Sequence, residues 1–354
     1  MANLLQQRFP LIRSREQVLA DISKNPSLTA TFDSWGSGRQ EQFLGFCTGI
    51  RGVKILYDQF FKELFNPSTV PERLELLLSL ILGCKVQILN VLPNESSRIA
   101  AEDSLLVMDI VVELADGSIA NIEVQRIGYA FPGQRCACYM SDLLLRQYKR
   151  VKGEQGKTFS YRDIKRVYVI VFMEKSTQAF HRLPKEFIHR GKFSFSTGLN
   201  LDIPQEAIFF PLDIFLKNLQ NIDISNYHTL EAWLTFLSCD NPTDILRLVD
   251  ACPEFEPLYQ EVYRMCQDTE KMMSIFSEEL AIMDKNTVQY MVDEMQDTID
   301  SLQNDNNILK NTNSTLQNDN NILKNTNSTL QNEILMLKEK LNQYEKNLCK
   351  NNPT

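Results

Sequence analysis

Hydrophobic and polar positions follow different periods along the chain, and each period predicts a different kind of element. Helical spacing occurs in four segments, at about 52–65, 71–82, 133–150 and 210–290. A strand-rich section runs from about 85 to 125, and the apolar run at 167–173 predicts a buried strand. Because helices and strands follow one another in this order, we expect an α/β or α+β core with a helical extension.

The C-terminal segment is built from a repeated sequence. SLQNDNNILKNTNS at 301–314 is followed at 315–328 by TLQNDNNILKNTNS, which differs at one position. Leucine recurs at every seventh residue, at Leu302, Leu309, Leu316, Leu323, Leu330 and Leu337. This heptad predicts a coiled coil, and the Asn residues at its a positions favour a parallel dimer in register. The alternative is a disordered Asn-rich tail, because ten of the 28 residues in the two repeats are Asn.

The patterns divide the chain into four expected parts. These are a helical N-terminal region at 1–50, a core at 51–200, a helical region at 201–287 and a coiled coil at 288–349. The composition, 43% hydrophobic and 23% charged in 354 residues, is that of a protein that buries a core. No apolar stretch is long enough to span a bilayer, and the start of the sequence lacks the pattern of a signal peptide. We therefore expect a cytoplasmic protein without a membrane segment.

Charge is distributed unevenly along the sequence. The formal net charge is -8, yet 126–192 contains fifteen Lys or Arg against five Asp or Glu. A basic stretch inside an acidic protein is a candidate contact surface for nucleic acid, although solvated helix faces would give the same pattern. The eight cysteines include no Cys-x-x-Cys, and the three histidines lack the spacing of zinc ligands, which argues against a structural zinc site.

Two alternating runs flank Asp116-Gly117 and predict a β-hairpin. A two-residue turn would mix apolar and charged residues on both faces. A three-residue loop, with Gly117 in the left-handed conformation, pairs Leu114 with Ser118 and separates the two kinds of residue. One face is then apolar, and the other carries Asp109, Glu113, Asn121, Glu123 and Gln125. Because a slip by one residue turns a whole strand over, a sheet with one buried face selects the three-residue loop.

This register places Asp109 directly opposite Glu123. Two carboxylates at that spacing repel each other unless a cation lies between them. Mg²⁺ binds oxygen ligands, usually one or two carboxylates together with water and a substrate phosphate. The pair is therefore a candidate site for Mg²⁺ (or Mn²⁺) acting on a phosphodiester, and the alternative is an ordinary hairpin with a solvated polar face.

Several motifs around the hairpin resemble those of one known superfamily. The pattern MDIVVEL-x2-G-x-IANIEVQ is followed by GYAFPGQR, CYMSDLLLRQY and a hydrophobic strand, with YDQFFKELFNP upstream and AIMDKNTVQYMVDEM downstream. These motifs and their order resemble the PD-(D/E)XK nuclease superfamily, and within it the Rpn-type branch of recombination-promoting nucleases and transposases. The resemblance covers about residues 1–300. It implies a restriction-endonuclease-like mixed central sheet flanked by helices, with a Mg²⁺-dependent phosphodiesterase site.

The resemblance also implies roles for residues of the hairpin. Asp109 matches the motif Asp and Glu123 matches the acidic residue of the E-x-K motif, so both would bind the metal. Gln125 stands where the superfamily usually has Lys. A lysine would stabilise negative charge, whereas Gln only forms hydrogen bonds and would position water. Arg126 or Arg135 is then expected to supply the missing charge.

Further site residues are expected on the flanking helices. Glu63 and Glu75 are the candidates for an additional acidic residue from an upstream helix, and each has the alternative of being an ordinary solvated residue. The expected DNA contacts are Arg126, Arg135, Tyr139, Arg146, Gln147, Lys149 and Arg150, followed by a basic loop that extends to Arg166. The alternative is an amphipathic helix with a charged outer side.

These expectations lead to one principal hypothesis, a metal-dependent DNA endonuclease that acts in DNA recombination or transposition. The coiled coil would join two subunits into a homodimer with two active sites. A second hypothesis is a catalytically inactive DNA-binding or scaffolding protein dimerised by its coiled coil, which would follow if Asp109 and Glu123 do not converge. An RNA-cleaving enzyme remains a third, because metal chemistry at a phosphodiester is similar.

Overall fold

The computed structural model describes residues 3–93, 108–127 and 132–351. Residues 94–107 of the expected strand-rich section, and the first half of the GYAFPGQR motif, lie outside the described residues. The chain forms two compact units, Met1–Tyr290 and Met291–Thr354. Among the helices of the described residues, none combines the length and the apolar character that crossing a membrane requires.

One mixed sheet forms the centre of the first unit. Within the described residues its strands are β1 (Ile88–Leu92), β2 (Ile110–Leu114), β3 (Ile119–Ile127), β4 (Val167–Lys175), β5 (His189–Lys192) and β6 (Gln205–Pro211). The order across the sheet is β1-β2-β3-β4-β6-β5. β1, β2 and β3 are antiparallel, β4 is parallel to both β3 and β6, and β5 is antiparallel to β6 at the edge. The expected mixed central sheet is confirmed.

Helices precede, interrupt and follow the sheet. Those before it are α1 (Leu4–Arg8), α2 (Arg15–Ser23), α3 (Pro26–Ser34), α4 (Ser37–Thr48), α5 (Asp58–Leu64) and α6 (Pro71–Leu82). Between strands lie α7 (Pro132–Gln155) and α8 (Gln178–His181). After β6 come α9 (Leu212–Asn218), α10 (Leu230–Ser238), α11 (Pro242–Ala251), α12 (Glu256–Met265) and α13 (Thr269–Asn351). The bounds of α6 match the prediction, because Pro71 suits a first turn and Gly83 ends the helix with a φ of 70°.

Different helices cover the two faces of the sheet. The face that carries Ile110, Val112 and Ile122 packs into the larger hydrophobic core, which includes residues of α4, α5, α6 and the helices after β6. The opposite face packs against α7, where Tyr139 and Leu143 meet residues of β2, β3 and β4. Both faces of the hairpin are therefore buried, and α7 lies over the face that carries its polar residues.

Two parts of the predicted element pattern are wrong. The helix expected at 52–65 begins only at Asp58, because the N–H of Gly52 donates to the carbonyl of Asp240 at 2.8 Å, and this close approach fixes a non-helical segment. The sheet also continues past residue 200, since β6 pairs with β4 as far as Pro211. The edge strand β5 has the polar sequence HRGK, so no hydrophobic pattern marks it.

The second unit consists of the C-terminal part of α13. The helix continues without interruption through both 14-residue repeats, as the heptad interpretation requires. The row of leucines at every seventh position, Leu302 to Leu337, is between 48% and 67% exposed in the single chain. We refer to these six residues as the leucine row.

Candidate active site

The loop of the hairpin has the geometry that the sequence predicts. Gly117 has a φ of 83°, in the left-handed region that favours glycine. The N–H of Gly117 donates to the carbonyl of Leu114 at 2.8 Å, and the N–H of Leu114 donates to the carbonyl of Ser118 at 2.8 Å. Ile110 then pairs with Ile122, so the three-residue loop and its register are confirmed.

Asp109 and Glu123 converge at the open end of the hairpin. Glu123 Oε1 accepts hydrogen bonds from the backbone N–H of Asp109 at 3.2 Å and from Asn121 Nδ2 at 2.9 Å. Asp109 Oδ2 accepts the backbone N–H of Val124 at 2.7 Å. Each carboxylate thus accepts a backbone N–H from the strand that carries the other carboxylate, and Asn121 gives Glu123 a second hydrogen bond. The hairpin therefore fixes the position of both.

The polar face of the hairpin is buried rather than solvated. Glu123 is 3% exposed, Asn121 is fully buried and Gln125 is 7% exposed. Burial, and then the charge of Asp109, raises the pKa of Glu123 to about 7. Burial, and then the charge of Asp58, raises the pKa of Asp109 above its usual value. Two ionised carboxylates are unfavourable in this environment without a cation, which argues against an ordinary solvated hairpin.

Helix α5 contributes two residues that the sequence interpretation missed. Lys62 Nζ lies 3.5 Å from Asp109 Oδ1 and 2.8 Å from the carboxylate of Asp58, one turn earlier on the same helix. The N–H of Asp58 is itself held by Glu279 Oε1 at 2.7 Å. The signal was present in the motif YDQFFKELF, where Asp and Lys stand four residues apart and so share one face of a helix.

The two acidic residues expected to complete the site are placed elsewhere. Glu63 is directed to Lys271 of α13, with 2.6 Å between Oε2 and Nζ, because adjacent helix residues point in different directions from the axis. Glu75 Oε1 accepts the N–H of Ile88 at 2.8 Å. Ile88 pairs with Leu114 at the loop end of the hairpin, about 17 Å along the strand from Asp109. The structure brings neither residue into a pair with the two carboxylates.

Helix α7 covers the carboxylates with an aromatic ring and a cation. Tyr139 is 1% exposed, and its Oη has no hydrogen-bond partner among the described residues. The Arg135 guanidinium lies 5.1 Å from the centre of that ring, and its charge favours the ionised form of Glu123. Gln125 Oε1 is also buried without a donor in the described part of the chain. An unsatisfied oxygen of this kind is free to accept a hydrogen bond from water or to bind a cation.

The donor set is suited to a hard divalent cation. No cluster of three or more His, Cys, Asp or Glu residues suited to a metal occurs in the described parts of the chain. Mg²⁺, however, commonly takes only one or two carboxylates and completes its shell with water and substrate phosphate. Asp109, Glu123 and the unsatisfied amide oxygen of Gln125 fit this requirement in chemistry and in burial.

Five of the expected DNA contacts are internal instead, among them Tyr139, which is 1% exposed. Arg126 is paired with Glu174 and Glu279 and its side chain is 11% exposed. The others hold α7 to its surroundings. Arg146 donates hydrogen bonds to Asp142 and to the Pro93 carbonyl. Gln147 and Arg150 both donate to the Gly117 carbonyl, at 2.6 Å and 2.8 Å. Arg150 also forms an ion pair with Glu113. They are internal because α7 packs its polar side on the polar face of the hairpin. Lys149 is exposed.

A comparison of the sequence with models of protein families gives a match that covers the sheet and the candidate site. The model of a family described as PD-(D/E)XK nuclease family transposase matches residues 55–294. The matched segment contains the sheet, α5, α7 and every residue of the carboxylate site described above. No curated protein and no solved structure matches the chain.

Proposed function

This chain belongs to the PD-(D/E)XK nuclease family transposases, and on that premise we propose that it is a metal-dependent DNA endonuclease. The observation that carries the proposal is the pair of the half-buried Asp109 and the buried Glu123, which converge at the hairpin and whose pKa values are both raised. Perturbed carboxylates in a family built for phosphodiester cleavage are more consistent with catalysis than with a purely structural role. The proposed biological setting is DNA recombination or transposition.

Asp109 and Glu123 would hold Mg²⁺ or Mn²⁺, with the amide oxygen of Gln125 beside them. When bound, such an ion lowers the pKa of a coordinated water and stabilises charge on a phosphate. Gln125 accepts a hydrogen bond from the attacking water and orients it. The water oxygen forms a bond to phosphorus and loses a proton to solvent, the bond from phosphorus to the leaving sugar oxygen breaks, and that oxygen takes up a proton from solvent. Tyr139 and the rest of α7 keep bulk water away from the carboxylates.

Cleavage of a plasmid by the purified protein tests the activity. Wild type is incubated with Mg²⁺ or Mn²⁺ and with EDTA, beside Asp109→Ala and Glu123→Ala. Glu256→Ala serves as a control, because Glu256 pairs with Arg8 on the surface, outside the carboxylate site. We expect metal-dependent cleavage by wild type and by the control, and a loss of at least about a hundredfold in both site variants. Equal cleavage by all four proteins would reject the site.

We also propose that the active protein is a parallel homodimer formed through α13. The support is the leucine row, which is between 48% and 67% exposed in the single chain and would be buried against a second copy. Asn306, Asn313, Asn320 and Asn327 stand at the a positions, where Asn pairs across a parallel interface and fixes its register. Two subunits would present two active sites for the two strands of a duplex.

The replacement of the motif lysine by Gln125 favours one second candidate, a DNA-binding or scaffolding protein without catalysis. In that case the basic segment after α7 would bind DNA and the coiled coil would assemble the complex. The outcome that distinguishes the two is an intact plasmid under both metals together with a shift of DNA in a gel. A parallel assay with RNA of the same sequence would identify a ribonuclease.

A further inference from the structure

We propose that Lys62 is a catalytic residue of this site and supplies, from α5, the positive charge that Gln125 lacks. This inference rests on the proposed nuclease activity. Its ammonium group lies 3.5 Å from Asp109 Oδ1, on the residue proposed to bind the metal. Lys62 comes from a distant helix and not from the E-x-K motif, and it would return to the site the positive charge that the motif lysine usually provides.

The environment of Lys62 suits a residue that meets a substrate. Its side chain is 35% exposed, while Asp109 beside it is 19% exposed and Glu123 is 3% exposed. The ammonium therefore lies at the boundary between the buried carboxylates and solvent, where a phosphate would arrive. Asp58 fixes it from one helical turn away at 2.8 Å. An ammonium group has three N–H donors, so one remains for a phosphate oxygen after Asp58 and Asp109 are satisfied.

The other cations near the hairpin are less suitable. Arg126 pairs with Glu174 and Glu279, neither of which is a proposed metal ligand, and its side chain is 11% exposed. Arg135 lies over the ring of Tyr139 on α7 and its charge acts on Glu123, so the cation in contact with Asp109 is Lys62. Lys62 combines contact with the proposed ligand Asp109 and partial exposure.

The expected role is stabilisation of charge during cleavage. Negative charge on the phosphate oxygens grows as water bonds to phosphorus and until the leaving oxygen departs. A fixed ammonium that donates to one of these oxygens stabilises that charge without reorganisation. Lys62 remains protonated throughout and transfers no proton.

The test compares Lys62→Met with Lys271→Met. Lys271 is a matched control, because its side chain is 38% exposed and it also pairs with an α5 carboxylate, that of Glu63. We expect Lys62→Met to lower turnover at saturating DNA by about a hundredfold to a thousandfold, and Lys271→Met to change it by less than about twofold. Thermal unfolding of both variants reports whether either has lost its fold.

Two further readouts separate catalysis from a structural ion pair. Adding Gln125→Lys to Lys62→Met should restore turnover by about tenfold or more, because the charge returns to the motif position. DNA binding, measured with Ca²⁺ in place of Mg²⁺, should lose about one unit of its salt-dependence slope in Lys62→Met. Turnover within about threefold of wild type, or a loss that occurs without rescue and without a change of slope, would overturn the proposal. If wild type does not cleave, the nuclease proposal fails, and the slope alone decides the phosphate contact.

A separate observation leads us to propose a second site, a stacking platform for unpaired bases after α7. Tyr161 is 76% exposed. Its ring stacks on that of Tyr148, with an angle of 13° between the ring planes and 6.3 Å between the centroids. Phe159 meets both rings edge-on, at 5.5 Å and 5.3 Å. Lys152 Nζ lies 5.1 Å from the centre of the Tyr148 ring. Tyr161 thus packs against other aromatic side chains and remains largely exposed to solvent.

The surroundings of Tyr161 carry the charge that a nucleic acid strand requires. Residues 149–166 contain seven Lys or Arg against two Asp or Glu. Tyr161 also borders an open cleft of about 700 Å³ that Arg162, Lys165 and Arg166 line. Arg166 pairs with Asp202, whereas the side chains of Arg162 and Lys165 have no hydrogen bond or ion pair within the described residues. Aromatic rings among free cations are the features that bind single strands by base stacking and phosphate contact.

The occupant we assign is therefore a single-stranded segment of DNA or RNA, and its binding does not require cleavage. Affinity for a short labelled single strand is compared with affinity for the matching duplex, in wild type, Tyr161→Ala and Tyr161→Phe. We expect Tyr161→Ala to weaken the single strand by about fivefold to a hundredfold, with the duplex changed by less than about twofold. Phe193→Ala, at another exposed aromatic residue, should change neither. Equal losses for strand and duplex, or no loss in Tyr161→Ala, would reject the site.

Discussion

The carboxylate pair of the hairpin and the leucine row of α13 depart from ordinary burial in opposite directions. Glu123 is an acidic residue that is 3% exposed, whereas the six leucines are between 48% and 67% exposed. A buried charge loses its hydration, and an exposed apolar side chain keeps unfavourable contact with water. On the proposed function, the two regions take different partners, a cation for the carboxylates and a second helix for the leucines.

The two partners should also respond to different variables. A cation replaces protons on the carboxylates, so its binding should depend strongly on pH. A second helix buries apolar surface, which contributes about 1.5 to 3 kcal/mol for each fully buried leucine, so dimerisation should depend on protein concentration and little on pH.

Charged residues in the leucine row should dissociate the dimer. The double variant Leu309→Lys, Leu323→Lys removes from each helix two leucines that would be buried in the proposed dimer, and it places charges at that interface. We expect dimer affinity, measured by analytical ultracentrifugation, to fall at least about a thousandfold. Asn311→Lys with Asn325→Lys adds the same charge at outward-facing heptad positions and should leave the dimer intact. Equal weakening by both pairs would contradict the proposed seam.

The acidic residue of α5 that serves the site should be Asp58 rather than Glu63. Asp58 holds Lys62 beside Asp109, whereas Glu63 pairs with Lys271. We expect Asp58→Asn to lower the cleavage rate by about tenfold to a hundredfold, as for other residues that orient a metal site. Glu63→Gln should stay within about twofold of wild type. A larger loss of cleavage rate in Glu63→Gln than in Asp58→Asn would show that Glu63 is the acidic residue that serves the site.

Neutralising Glu123 should stabilise the metal-free fold at high pH. Its pKa is raised from 4.5 in the unfolded reference to about 7 in the fold, so the folded chain binds the proton more tightly. The free energy of unfolding therefore falls as pH rises between these values, and the loss is complete above about pH 8. Glu123→Gln should gain on the order of 2 kcal/mol near pH 8 and almost nothing near pH 4. Denaturant unfolding without metal at both pH values measures the gain, and a gain that does not depend on pH would contradict the assignment.

The smallest effect should come from the loop that sets the register. Gly117 has a φ of 83°, and a Cβ there would lie 3.2 Å from Lys165 Cγ. Gly117→Ala should therefore lower the free energy of unfolding by about 1 kcal/mol. Gly133→Ala is the control, because the added Cβ meets nothing within 4 Å inside α7 and alanine favours a helix. Similar destabilisation by both would show that the loop conformation is not the cause.

Local patterns were sufficient for the hairpin and for the tail. Gly117 and the alternation around it determine which residues share a face, and this placed Asp109 opposite Glu123 before any tertiary contact was known. The heptad likewise predicted a continuous helix through the repeats, which α13 confirms. In both regions the deciding information lies within a few residues of the sequence.

The rest of the site depends on contacts between distant segments. Lys62 meets Asp109 across 47 positions of the sequence, and no local period reports such a pair. Glu63 was the obvious acidic candidate, yet on a helix it points away from its neighbour Lys62. Arg126 was expected to be available to DNA, and only the structure shows Glu174 and Glu279 beside it. Sequence patterns therefore indicated the carboxylates and part of their surroundings, and missed Asp58 and Lys62.

Calorimetric titration of the protein with Mn²⁺ tests most directly whether the carboxylate pair is a cation site. The titration is run on wild type, Glu123→Gln and the surface control Glu256→Gln, near pH 7 in buffers of different ionisation enthalpy. We predict saturable binding to wild type and control with release of protons, since the pKa of Glu123 is about 7, and loss of this binding in Glu123→Gln. Binding to Glu123→Gln that equals wild type, or no saturable binding to wild type, would contradict the account.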